Sequence, residues 1–381
     1  MTFLFFDYMN AGDRISIKPH ASPVFHAIQY LLGNLEPKYL NMLRDFHGLQ
    51  AYPSRTKDPD GVDFTTGSVG LGAVAPNFAW LTEEYIRDHM NPSSGLNRRF
   101  ISLVGDAELD EGVVWEAIAD PALTDPENII WVVDLNRQSL DRIIPGIRVK
   151  VWQEMFEANG WNVVSAKYGI KLQAAFEQPK GHLLKSSIDG MSNELYQRLL
   201  RVDGKLLREW LPRTSKHPND LDKFLSQWDD DDLLELMRNL GGHDLQSLRT
   251  AFNQIGDSKS PNVIFAYTLK GWMLPSIGDA QNHSVSLNPG QITEIRETLG
   301  VTEKEMTSMI NPDSPEGRLC LDTGKRLKTL NSVPKSPPDI DIPDSFGRKY
   351  SGHSSTQQIF GLVLTELSRS QKDIHDRLVT V

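Results

Sequence analysis

The sequence predicts an α/β protein: a parallel sheet flanked by helices. Three observations lead there. Short apolar strands alternate with helical stretches, as in Ile101–Val104, Ile129–Val133 and Asn262–Tyr267. The central strands are near-continuous apolar runs, the pattern of strands covered on both faces. Turns at strand ends carry glycine, as in Gly105-Asp106, and ligands in such sheets sit beyond the carboxyl ends of the strands.

The elements can be taken in order. Arg14-Ile15-Ser16-Ile17-Lys18 alternates polar and apolar residues, as a short strand does. After Pro19-His20-Ala21-Ser22-Pro23, a helix places Phe25, Ile28, Leu31 and Leu32 on one face, and a second short helix is expected over Glu36 to Phe46. The glycine-rich turn Thr65–Gly72 opens a long helix to about His89. The strand Ile101–Val104 stops at Gly105-Asp106, a helix continues from about Asp110 to Ala119, and the next buried strand covers Asn128 to Asp134. Val151–Asn159 reads as helix and Trp161–Val164 as strand. A mostly helical, polar excursion of about 185–240 precedes the last strand, Asn262–Tyr267. It contains Asp229-Asp230-Asp231-Asp232, which fits a solvated helix start favoured by the dipole better than a metal site. From about Pro312 to Gly347 the chain is rich in Pro, Ser, Asp and Lys, the composition of a linker. Ser355–Ser370 is an amphipathic helix.

The 381 residues, 39% of them hydrophobic, suffice for a large core and more than one domain. A formal net charge of −10 argues against broad binding to nucleic acid or to anionic membranes, though a small basic pocket is compatible with it. The single cysteine, Cys320, cannot form a disulfide within the chain, which fits a reducing compartment. The apolar start Met1–Phe6 lacks a basic leader and a small-residue cleavage site, and no apolar run approaches the roughly 18 residues a membrane span needs. The expectation is a soluble, cytoplasmic protein.

The strongest chemical signal is Gly105-Asp106-Ala107-Glu108, with Asn136 standing 30 residues after Asp106. Each half begins at a strand end, so neighbouring parallel strands would bring Asp106 and Asn136 to one edge of the sheet. A carboxylate and an amide oxygen suit Mg²⁺, a hard ion that prefers oxygen and is usually shared with phosphates; the carbonyl of Gln138 could complete the set. The same spacing also fits a helix N-cap and a turn residue, and spacing alone favours that plainer account.

The region from Gly105 to Asn136 resembles the thiamine diphosphate motif, which runs from Gly-Asp-Gly to an asparagine. Further stretches extend the resemblance to the homodimeric pyruvate dehydrogenase decarboxylating component, within the transketolase superfamily. They are Asp13–Leu32, Phe46–Pro53, Asn136–Asp141, Phe156–Val163, Gly241–Asp244 and Tyr267–Gly271. It is close over about residues 10–310 and looser beyond.

The resemblance implies a thiamine diphosphate-binding fold over residues 1–310, a linker over 311–350 and the start of a pyrimidine-binding domain over 351–381. It implies that Asp106, Asn136 and the Gln138 carbonyl ligate Mg²⁺. Gly67, Ser68 and Val69, in a loop resembling the one that passes the thiamine ring, would line the cofactor with Gly105, Asp106, Ala107, Glu108 and Asn136. The family usually has glycine where this chain has Ala107, a small cost if the backbone there is right-handed. Glu108 would lie near the cofactor or at a dimer interface; it is equally an ordinary first-turn carboxylate. His20 resembles the histidine over the cofactor's reactive carbon, and His283 resembles a mobile-loop histidine; two imidazoles could shuttle protons there. His47 and His243 are read as structural.

The implied activity is decarboxylation of pyruvate or a similar 2-oxo acid, with the acyl group passed to a lipoyl-carrying acyltransferase. Transketolase-type two-carbon transfer between sugar phosphates and a non-catalytic partner subunit are the alternatives. In the family the pyrimidine domain completes the site, usually from the opposite subunit. The chain is therefore expected to need a homodimeric or complementary partner and to be inactive alone. No Gly-x-Gly-x-x-Gly comes after the first strand, which argues against a nicotinamide enzyme.

Overall fold

The computed structural model describes all residues except 90–97, 124–125, 140–141, 144–147, 257, 303–304, 306–307, 329–339, 346–347 and 379–381. Five strands form one parallel sheet: β1 (Arg14–Ser16), β2 (Phe100–Gly105), β3 (Ile129–Leu135), β4 (Asn162–Ala166) and β5 (Asn262–Tyr267). Their spatial order is β1-β2-β3-β5-β4. The registers Gly105↔Asp134 and Asp134↔Ala266 bring the carboxyl ends of the three central strands level.

Side chains alternate across this sheet, so a strand apolar on both faces feeds two cores. Val104, Trp131, Val133 and Phe265 pack on one face, beneath α2 (Leu71–His89), α3 (Gly112–Ile118) and α4 (Val149–Ala158). Ile101, Ile130, Val132 and Ile264 pack on the other, against α1 (Ser22–Leu31) and the helix Leu245–Gln254. Trp131 is fully buried, donates from Nε1 to Asn77 Oδ1 at 2.9 Å and lies edge-on to Trp161 and Phe156. The apolar N-terminus is core material: Phe3, Leu4 and Phe5 are buried, and Phe3 meets the Phe252 ring at 5.0 Å.

Three expectations need correction. The segment Glu36–Phe46 is not an α-helix: only Pro37–Asn41 forms a 3₁₀ turn. The chain then doubles back, with Arg44 and His47 at positive φ and Leu43 bridging to Leu49. Gly48 passes so close to the Met42 carbonyl that a Cβ would lie 2.0 Å from its oxygen. Gly48→Ala should therefore cost about 1–3 kcal/mol by overpacking, read as a lower urea midpoint. Second, the helical stretch is wider than 185–240; helices run from Ile170 to Gln254, the first packing on neighbouring helices and the last on β4 and β5. Third, the segment taken as linker contains a helix, Pro315–Lys328, which buries Cys320. Its Arg326 donates to the carbonyls of Phe5, Phe6 and Met9. The remaining linker residues 329–339 and 346–347 lie outside the described set.

The acidic run behaves as a helix start: Asp229 caps the helix Asp230–Arg238 by accepting from the Asp232 N–H at 2.8 Å. The terminal amphipathic helix forms over Thr356–Ser370 with Ser355 as its cap. Among the described residues no helix is long and apolar enough to cross a membrane.

Candidate active site at the carboxyl edge of the sheet

Strands β2 and β3 end side by side, and the singled-out motif straddles them. Asp106 opens a 3₁₀ turn, Asp106–Asp110, directly after β2. Its Oδ2 accepts from the Arg137 N–H at 2.7 Å and its Oδ1 from the Ala107 N–H at 3.0 Å. The Asp106 carboxylate thus reaches the residue immediately after Asn136. Arg137 holds φ 64°, the left-handed bend that turns the chain back toward Asp106. Asn136 Oδ1 accepts from the Gln138 N–H at 3.0 Å. Asp106, Glu108, Asn136 and Gln138 are all buried, an unusual density of polar groups that points to a ligand or a tightly satisfied network.

Glu108 Oε2 accepts from the Gly105 N–H at 2.9 Å, closing the turn, while Glu108 Oε1 is buried with no hydrogen-bond partner. Ala107 is exposed and lies in the right-handed turn, so its methyl is accommodated there. The loop before α2 approaches from the side. Ser68 Oγ donates to Tyr52 Oη at 3.4 Å, and Gly70, at φ 80°, leaves no room for a side chain beside Val114. Val69 faces outward and half-exposed; Gly67 makes no close approach.

His20 and His283, distant in sequence, meet edge to face with ring centroids 4.8 Å apart; Tyr52 stands 5.9 Å from His20. Lys270 Nζ lies 3.2 Å from His283 Nδ1. His20 is held down to about 4, first by burial and then by the charge of Lys18, with His283, Lys270 and Arg44 adding to it. The imidazole is therefore neutral at physiological pH, able to accept a proton or a hydrogen bond.

Sequence reasoning passed over Lys18 and Asp134. The Lys18 ammonium crosses the end of β2 to reach Asp134 Oδ2 at 2.5 Å, and Thr268 Oγ1 donates to the same carboxylate. The two side chains are 11% and 26% exposed. Burial works to lower Lys18, but Asp134 and then Asp106 outweigh it and hold the ammonium above its ordinary value. Burial likewise works to raise Asp134, and Lys18 outweighs it and holds the carboxyl low. Burial pushes Glu108 up, and carries Asp106 to about 6, with Asp134 adding repulsion and Lys18 opposing it. A charged residue at each of two buried strand ends was the available signal. Gln197 was also missed and lies in an unrelated stretch of helix.

The two structural histidines behave differently. His47 lies tilted against the Phe46 ring, centroids 4.0 Å apart, in an exposed turn. His243 Nε2 accepts from the Leu269 N–H at 2.8 Å and stacks on Trp272 at 4.5 Å, supporting the loop that carries Lys270. Burial lowers His243 to about 4. Unfolded, this histidine protonates near 6.5, so its contribution to stability falls as pH drops from 6.5 toward 4. His243→Gln should flatten that part of the stability-versus-pH curve in urea titrations.

Comparison with known proteins relates the part of the chain that carries this edge to a described family. Residues 7–185 match the family described as transketolase, thiamine diphosphate binding domain. Those residues are a transketolase-type thiamine diphosphate-binding domain. The domain contains Asp106, Asn136 and Gln138 as well as His20 and the 67–70 loop. The chain is 28% identical over 319 residues to the pyruvate dehydrogenase E1 component of Cupriavidus necator, covering 80% of this chain and 35% of that protein. It is 26% identical over 400 residues to the pyruvate dehydrogenase E1 component of Escherichia coli K12, covering 98% of this chain and 44% of that protein. The chain thus spans less than half the length of these curated relatives. The fold is that of transketolase from Campylobacter jejuni, with a TM-score of 0.60 at 18% identity over 96% of this chain and 49% of that one. Transketolase from Leishmania mexicana gives a TM-score of 0.57 at 18% identity, over 85% and 40%.

Proposed function

We propose that this chain supplies the diphosphate- and Mg²⁺-binding half of a thiamine diphosphate-dependent enzyme that decarboxylates a 2-oxo acid of the pyruvate type. The observation that carries the reading is the Asp106 carboxylate joined to the Asn136–Gln138 loop across adjacent strand ends. The donor set is all oxygen, as Mg²⁺ requires, and the unpartnered buried Glu108 Oε1 is a polar atom that a bound group would satisfy. Asp106, the Asn136 side chain and the Gln138 carbonyl would hold the ion; Gly67, Ser68, Val69, Gly105, Ala107 and Glu108 would line the cofactor. Thiamine diphosphate, when bound, supplies a thiazolium carbanion and an electron sink for loss of carbon dioxide.

The chain's own residues have three tasks. Lys18, Lys270 and Arg44 create a positive field around His20 that favours an anionic substrate. Neutral His20 accepts hydrogen bonds or a proton from the substrate oxygen, and His283 with Lys270 closes over the same space. Tyr52, 5.9 Å from His20 and hydrogen-bonded to Ser68, would line one side of this space. A pyrimidine-binding domain, from a second copy or a complementary chain, would complete the site. The outward faces of Val69, Leu71 and Phe78 beside the site offer it apolar surface. A lipoyl-carrying acyltransferase would accept the acyl product.

Calorimetry with thiamine diphosphate tests the cofactor reading. Binding is expected with Mg²⁺ and at least tenfold weaker after chelation; no binding with excess Mg²⁺ removes the reading. Once a pyrimidine domain is supplied, turnover of pyruvate is expected; turnover of xylulose 5-phosphate instead would assign two-carbon transfer between sugar phosphates.

A further inference from the structure

We propose that Gln197 is a positioning residue that couples the Asn136–Gln138 loop to the Gly278–His283 loop, an inference that rests on the assignment of Asn136 and Gln138 to the cofactor site. Gln197 is fully buried in the helix Asn193–Leu199. Both halves of its amide are used on one loop. Its Oε1 accepts from Gln138 Nε2 at 3.3 Å, and its Nε2 donates to the Asn136 carbonyl at 3.4 Å. A buried methionine would pack this helix without the desolvation cost of an amide, so the glutamine is explained by what it orients rather than by stability.

The opposite side of the same turn supports the histidine loop. Gly278, at φ 72°, lies so close to the Gln197 carbonyl that a Cβ there would stand 2.6 Å from its oxygen. One turn on, Arg201 pairs with Asp279 at 3.0 Å. Asp279 in turn organises the residues up to Asn282: its Oδ1 accepts from the Gln281 N–H at 2.9 Å and its carbonyl from the Asn282 N–H. Asn282 Nδ2 donates to the Lys270 carbonyl at 2.7 Å, and Lys270 Nζ reaches His283, which faces His20. The contacts form a continuous path from the metal-side loop through residue 197 to the imidazole pair. The Gln197 amide is engaged through both its oxygen and its nitrogen only while the 136–138 loop keeps this arrangement, so a shift of either loop is passed to the other along these contacts.

Two substitutions test it from opposite ends: Gln197→Met, which keeps volume and removes both hydrogen bonds, and Gly278→Ala, which presses on the Gln197 carbonyl. Hydrogen exchange is measured on the cofactor-free chain over 134–139 and 276–284, with Leu199→Ala as a control for general loosening of the helix. Gln197→Met should speed exchange at least fivefold in both segments beyond the control. Gly278→Ala should speed exchange in 134–139, which it does not touch. In calorimetry, half-saturating Mg²⁺ for cofactor binding should rise at least threefold in Gln197→Met but not in Leu199→Ala. Exchange that changes in only one segment, or equally in the control, overturns the coupling. If Gln197→Met does not fold, an unchanged 134–139 segment in Gly278→Ala overturns it. A wild-type chain that fails to bind the cofactor would remove the functional reading, while the cofactor-free exchange still decides whether the two loops are coupled.

Discussion

Asp106→Asn is expected to abolish Mg²⁺-dependent cofactor binding while making the cofactor-free chain more stable. Burial holds the Asp106 carboxyl at about 6 against 3.8 unfolded. At neutral pH the folded chain therefore keeps a charge that would rather be neutral. The difference corresponds to about 3 kcal/mol of lost stability. The sign comes from proton uptake: the folded carboxyl takes its proton first, so this group's penalty shrinks as pH falls from about 7 through 6 and is gone below 3.8. Asparagine removes the charge but turns an N–H₂ toward one of the N–H donors of Ala107 and Arg137, which costs about 1 kcal/mol. The net expectation is a gain of about 1–2 kcal/mol in urea unfolding at pH 8, shrinking toward pH 5. Cofactor affinity at fixed Mg²⁺ should fall at least a hundredfold, because a neutral amide cannot replace the anionic oxygen. In the wild type, Mg²⁺ affinity should fall about tenfold per pH unit below 6, where proton and metal compete for one carboxylate. A destabilised variant with intact Mg²⁺ dependence would mean that Asp106 is a simple turn cap.

Lys18→Met carries the second large effect, on stability and on the titration of His20 together. It leaves Asp134 with only the Thr268 hydroxyl and removes the cation that offsets Asp106 and Glu108. Removing one partner of a fully buried pair costs about 3–5 kcal/mol; with Asp134 26% exposed, about 2–3 kcal/mol is expected in chemical denaturation. His20 should titrate above its present value of about 4, rising toward 6.5, since Lys18 is the largest charge acting on it. A proton NMR titration of the imidazole reads this directly. Lys18→Arg should keep most of the stability and leave His20 depressed. If Lys18→Met leaves His20 unmoved, burial and the remaining neighbours His283, Lys270 and Arg44 hold the imidazole down without Lys18.

Much of this architecture was legible in the residues. The runs Phe100–Val104, Ile129–Val133 and Val263–Phe265 are buried along their whole length, which only a strand covered on both faces tolerates. The turn Gly67–Gly72 opens the helix Leu71–His89, and the motif Gly105–Glu108 lies where the strand Phe100–Gly105 hands over to a helical turn. The helix expected over Glu36 to Phe46 stops at Asn41; the positive φ at Arg44 and His47 and the close approach of Gly48 to Met42 belong to a doubled-back loop whose packing the residue types alone do not show. The helix Pro315–Lys328 was hidden by the Pro- and Asp-rich residues flanking it, and is held by Arg326 binding carbonyls more than 300 residues earlier in the chain.

The sequence by itself determined the α/β class, the parallel sheet and the pairing of Asp106 with the Asn136 loop. Each of these depends on local periodicity and on a spacing of one strand–helix–strand unit. Tertiary structure alone decided that Lys18 reaches Asp134, that His20 faces His283 and that Gln197 spans two loops. Those contacts join segments with no fixed spacing, and only the strand order β1-β2-β3-β5 brings their ends to one edge. Burial there raises Asp106 and lowers His20, because low polarity penalises charge wherever the fold removes water.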